Sequence, residues 1–114
     1  MTDLVSLAQS HLEAAHASAH GRSAELIVRD GVLRQSVVAL VAGTELAEHN
    51  SPPAASLQVL TGRLRVTGFD SPDLSAGELT VLTHERHAVT ALEDSVFLLT
   101  TVTGVAQEAA PDQA

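Results

Sequence analysis

The residue pattern predicts an all-β fold, an antiparallel barrel or sandwich with one helix in front of it. Three observations carry that reading. After Gly21 the chain breaks into short β-branched runs, the breaks between them are filled by turn-forming residues, and no second stretch has the length of a crossover helix. Seven or eight strands are expected.

The helix comes first. From Asp3 to about Ala19 the apolar residues Leu4, Leu7, Ala8, Leu12, Ala15 and Ala19 recur at three- and four-residue steps, with Thr2 or Asp3 as cap and Gly21 as stop. His11, His16 and His20 lie on or beside this helix without a carboxylate at ligand spacing, so they read as solvated side chains. Residues 1 to 21 are thus expected to be a helix packed on a barrel.

The runs that follow are AELIVRD, SVVALVAG, SLQVLTG, RLRVTGF, ELTVL, HAVTAL and SVFLLTTV. Asp30-Gly31, Ser51-Pro52-Pro53, Ser71-Pro72-Asp73, Ala76-Gly77 and Glu93-Asp94 separate them as turns. In RLRV, Leu64 and Val66 alternate with Arg63 and Arg65, so that segment should have one packed and one wet face. Residues 22 to 103 form the expected barrel, and 104 to 114, rich in Ala, Gln and acids, read as a frayed tail.

Composition bounds the function. The 114 residues suffice for one domain with one modest core. Fourteen acids against six arginines give a formal charge of -8, which disfavours nucleic acid and anionic lipid as partners. Without cysteine there is no disulfide, thiolate metal site or thiol nucleophile. Only Phe69 and Phe97 are aromatic, so Val, Leu and Ala must build the core. An acid stands near the N-terminus, where a signal peptide carries positive charge. No apolar run approaches the roughly 20 residues of a membrane span, and a cytoplasmic protein is expected. There is also no Gly-x-Ser-x-Gly elbow, no phosphate-cradling glycine loop and no lysine for a Schiff base.

Two stretches carry the residues with chemistry. In the first, Gly43 stands six residues before His49, and a strand reading SLQVLTG closes on Gly62. In the second, Gly77 opens a strand with Leu79, Val81 and Leu82, and His87 begins the next strand. Together they resemble the two motifs of the cupin family of small jelly-roll barrels, across about Leu33 to Val102. The resemblance implies a cupin-type antiparallel jelly roll. It also implies a metal centre of three histidines and one glutamate inside the barrel, in a family whose members range from metal-dependent dioxygenases and isomerases to non-enzymatic sugar-binding or storage proteins.

This chain departs from that pattern in both motifs. Ser51 occupies the place of the second histidine and Ala55 that of the glutamate, while Thr83 and Glu85 replace the proline and glycine of the second motif, and His87 arrives one position early. His49 and His87 remain as candidate metal ligands, with His84 as a third candidate or an ordinary loop histidine. One divalent ion (Zn, Mn, Fe, Ni or Cu) is the cofactor this set would hold. Gln58 and Ser51 are candidate cavity residues, although Gln58 facing outward would be a simple solvated strand residue. Arg34, Arg63, Arg65 and Arg86 could hold an anion or serve as surface charges. Acid-base chemistry without metal would draw on Glu48 or Glu85, the sequence neighbours of the histidines.

The expectation is a small-molecule-binding cupin, through a reduced metal set or without metal, enzyme or not. Small cupins commonly pair, and an amphipathic helix beside exposed barrel edges gives a homodimer something to cover.

Overall fold

A computed structural model describes residues 1–47, 53–68, 72–82 and 87–103. One helix, α1 (Leu4–Ala17), precedes nine strands: β1 (Arg22–Asp30), β2 (Leu33–Leu40), β3 (Glu45–Ala47), β4 (Ala54–Thr61), β5 (Arg63–Val66), β6 (Asp73–Ser75), β7 (Leu79–Leu82), β8 (Ala88–Ala91) and β9 (Ser95–Val102). They form an antiparallel five-stranded sheet in the order β1-β2-β9-β4-β7 and an antiparallel four-stranded sheet in the order β3-β8-β5-β6. The all-β jelly roll with one leading helix is the architecture expected from the sequence.

α1 starts where its cap dictates. The Asp3 carboxylate accepts from the backbone N–H groups of Val5 and Ser6, at 3.0 and 3.3 Å, supplying partners that the first turn lacks. Ser6 also donates its hydroxyl to that carboxylate, the main reason Asp3 is held below the usual carboxylate range. At the other end Ser18 is already extended, so the helix stops two residues short of Ala19.

Strand alternation sends one set of side chains between the sheets and the other outward. Leu57, Val59 and Phe97 from the larger sheet meet Leu64, Val66 and Val89 from the smaller one in the inner core. On the outer side, Val37, Ala39 and Val96 pack against Ala8 and Ala15 of α1. RLRV behaves as its alternation predicts, with Leu64 and Val66 fully buried and both arginines exposed.

Gly62, the glycine closing the first motif, has a packing reason. It turns β4 into β5 at φ +84°, and a Cβ there would collide with the Asp94 carbonyl oxygen and the Ser95 hydroxyl. That hydroxyl is fully buried; it accepts from the Arg63 N–H at 2.9 Å and lies 2.7 Å from the Glu93 carbonyl, an acceptor for its proton. The turn is locked to β9 at the point where a side chain would be in the way. Among the described residues no helix is long and apolar enough to cross a membrane.

Candidate functional site

His87 is the sequence-selected residue whose surroundings the structure defines best. It sits directly before β8 and is 3% exposed; with Ser95 it is one of two buried polar side chains among the described residues. Burying an imidazole there is unfavourable unless its polar atoms find partners.

Thr67, directly after β5, supplies one. Its carbonyl lies 2.7 Å from His87 Nδ1. A carbonyl only accepts, so Nδ1 carries a proton, and in the neutral ring the lone pair is on Nε2. Thr67 holds the neighbouring backbone as well: its N–H donates to the Ala88 carbonyl at 3.0 Å, and its hydroxyl accepts from the Ala88 N–H at 2.9 Å. One threonine thus fixes both the ring and the chain that carries it.

Gly68 completes the fit. It adopts φ +89°, and a Cβ on it would stand 3.2 Å from both Nδ1 and Cε1 of His87. Glycine therefore lets the loop lie against the imidazole. Sequence reasoning passed over both residues. The signal was the Thr-Gly pair directly after a strand, visible in RVTGF but without a stated partner.

The other predicted site residues are placed as follows. His49, Ser51 and His84 lie outside the described residues, as do Glu48, Glu85 and Arg86. Ala55, standing where the resemblance puts a glutamate, is buried with its methyl group in the inner core. It offers no donor atom. Gln58 alternates with Leu57 and Val59, which point into that core, so it occupies the outward side of β4, half-buried. Of the two placements open to Gln58, the structure has the outward one.

A divalent ion needs several donors converging on one point. Among the described residues no group of three or more His, Asp or Glu side chains could hold one. With alanine at position 55, the described part of the chain does not fit the family's metal set.

The arginines are engaged at the surface. Arg65 forks onto Asp73, with Nε 2.8 Å and an Nη 3.1 Å from its two carboxylate oxygens. This guanidinium holds the Asp73 carboxyl below the usual range. Arg63 stands 3.9 Å from the same carboxylate, and Arg34 donates to the Gly31 and Leu33 carbonyls.

Two helix histidines read as solvated have partners across the fold. His11 places Nδ1 2.8 Å from the Ser23 hydroxyl and Nε2 2.8 Å from Glu25, both on β1. His16 Nε2 lies 2.7 Å from Asp94, on the turn before β9. They tether α1 to the barrel.

No family model and no curated protein matches the chain. Solved structures do resemble it. A conserved protein of unknown function from Streptococcus pyogenes superposes with a TM-score of 0.66 at 25% identity, over 75% of this chain and 77% of that one. A cupin superfamily protein from Desulfitobacterium hafniense gives 0.65 at 17% identity, over 72% and 77%. A salicylate 1,2-dioxygenase from Pseudaminobacter salicylatoxidans gives 0.72 at 19% identity, covering 93% of this chain but 35% of the enzyme.

Proposed function

The chain has the cupin fold, and from that premise we propose that its barrel binds a small organic molecule beside His87 with no divalent ion at its centre. The observation that carries this reading is the buried His87 ring, fixed through Nδ1 by the Thr67 carbonyl and lying against Gly68. A few placed polar groups in an apolar concave wall are what a small-molecule site consists of. An imidazole both donates and accepts hydrogen bonds, so a ligand with hydroxyl groups suits a site built around a histidine. Ala55 in the carboxylate's place supports the metal-free form.

A second reading has its own support. Metal-ligating histidines commonly donate the other ring nitrogen to a carbonyl, and the Nδ1 contact to Thr67 has that form. In this reading His87, His49 and His84 hold a divalent ion that a ligand or solvent completes.

Elemental analysis separates the two. Untagged protein, as purified and after equilibration with Zn, Mn, Fe, Ni and Cu, is compared with the His49→Ala/His87→Ala variant. The metal-free reading expects no stoichiometric ion in either, and no rise in Tm on adding metal. Near-stoichiometric ion in the unmodified protein alone overturns it. Metabolite-library thermal shifts that vanish in His87→Ala then identify the ligand class. If every ligand response survives that substitution, His87 has no part in binding.

A further inference from the structure

Ser23 and Glu25 stand two residues apart on β1, and the register sets them beside Ala39 and Val37 of β2, on the face of the larger sheet that α1 covers. His11 comes down from α1 between them. Its side chain is 15% exposed, with Nδ1 2.8 Å from the Ser23 hydroxyl and Nε2 2.8 Å from a Glu25 carboxylate oxygen. A carboxylate only accepts, so Nε2 carries the proton, and in the neutral ring Nδ1 is the acceptor left for the Ser23 O–H. Hydroxyl, imidazole and carboxylate are then in series. This is how a serine nucleophile, its general base and the acid that fixes the base's tautomer are arranged, an order recognised by geometry and not by sequence position. At His16, the other tether of α1, the ring meets the Asp94 carboxylate without a hydroxyl in line among the described residues.

The backbone offers a partner for an oxyanion. β1 is the edge strand of its sheet. Val41 donates to the Gly21 carbonyl, so the antiparallel alternation directs the Ser23 N–H toward β2 and that of Ala24 away from it, over the open edge. Ala24 is exposed, and the residue after a serine nucleophile supplies such a donor in hydrolases. Beside Glu25 lies an open depression of about 430 Å³, lined in part by Asp3, Leu7, Glu25 and Ile27. Its two carboxylates repel anionic substrates and leave neutral or cationic ones.

We propose that Ser23 is a nucleophile that accepts acyl groups from small neutral or cationic carboxylic esters, with His11 as its general base and Glu25 as the residue that positions His11. Ser23 Oγ forms a bond to the ester carbonyl carbon while His11 Nδ1 takes its proton. The bond from that carbon to the alcohol oxygen then breaks, and the alcohol leaves with the proton. Water repeats the two steps on acyl-Ser23, which releases the carboxylic acid and restores the hydroxyl. This centre lies under α1 on the outer side of the sheet, so it stands independently of the reading of His87.

A fluorophosphonate tests this on the full chain, with peptide mass spectrometry to locate the adduct. The reagent should modify Ser23 at least about tenfold faster than Ser6 and Ser10, the exposed serines of α1. p-Nitrophenyl acetate should likewise acetylate Ser23, and faster than an anionic p-nitrophenyl ester of a dicarboxylic acid. His11→Ala should slow labelling about tenfold or more, but it also unties α1, so Glu25→Gln is the deciding variant. Its amide keeps a bond to Nε2 and therefore keeps the tether. As a donor, however, it leaves the ring proton on Nδ1, where the Ser23 hydroxyl finds no acceptor. Labelling should fall about tenfold or more while the melting curve is unchanged. Equal labelling of Ser6, Ser10 and Ser23 overturns the proposal, and so does full labelling in Glu25→Gln, which would leave these contacts as a tether only. Faster acylation by the anionic ester overturns the substrate class.

Discussion

The two faces of the five-stranded sheet are both apolar, yet they are closed by different means. On the inner face Leu40, Leu57, Val59 and Phe97 meet Leu64 and Val66 of the opposite sheet, large side chains that fill the space between two layers. On the outer face the fully buried contacts are small: Ala8 and Ala15 of α1 against Val37, Ala39 and Val96. Alanines let a helix backbone approach a sheet closely, and the histidine contacts at His11 and His16 then hold it from the sides. The inner face depends on volume being present and the outer face on volume being absent.

Opposite substitutions break the two faces. Among the described residues Phe97 is the largest fully buried side chain, and Phe97→Ala should cost about 3 to 5 kcal/mol through lost transfer energy and the cavity left behind. Denaturant unfolding measures it, and a loss below about 1 kcal/mol would mean that the interior collapses around the gap instead of depending on its volume. At the outer face enlargement is the damaging change. Ala15→Leu should cost about 1 to 3 kcal/mol by lifting α1 off Val37 and Val96, whereas a neutral result would show slack under the helix.

The contrast also separates what was legible in the sequence. Periodic elements were, because period is a local property: the helix at three and four residues, RLRV at two. Three-residue strands were not. β3 and β6 are too short to show a period, and β3 exists only because Glu45 to Ala47 pair with Ala88 to Thr90, more than forty residues on. β6 even begins at Asp73, within a stretch that reads as a turn. At the site, motif spacing picked out His87, but the carbonyl that orients it belongs to a threonine 20 residues away and carries no side-chain signature. His11 and His16 were missed for the same reason, since their partners are 14 and 78 residues distant.

The smallest expected effect lies at the edge of the helix and tests whether these tethers are electrostatic. Asp94 accepts the Ala42 N–H at 2.9 Å on one oxygen and faces His16 at 2.7 Å on the other. The Ala42 hydrogen bond chiefly, and His16 after it, hold the Asp94 carboxyl below the usual carboxylate range. A carboxyl lowered in the folded state stabilises that state above its unfolded value of about 4. The contribution disappears as pH falls through the lower folded value. Asp94→Asn keeps an oxygen for Ala42 and removes the charge, so its Tm should lie below that of the unmodified protein at pH 6, by less than for either core substitution. The two melting curves should draw together as the pH is taken below about 4. A gap of constant size from pH 6 downward would mean that the tether acts through shape and hydrogen bonding alone, and the helix would then be held without any contribution from charge.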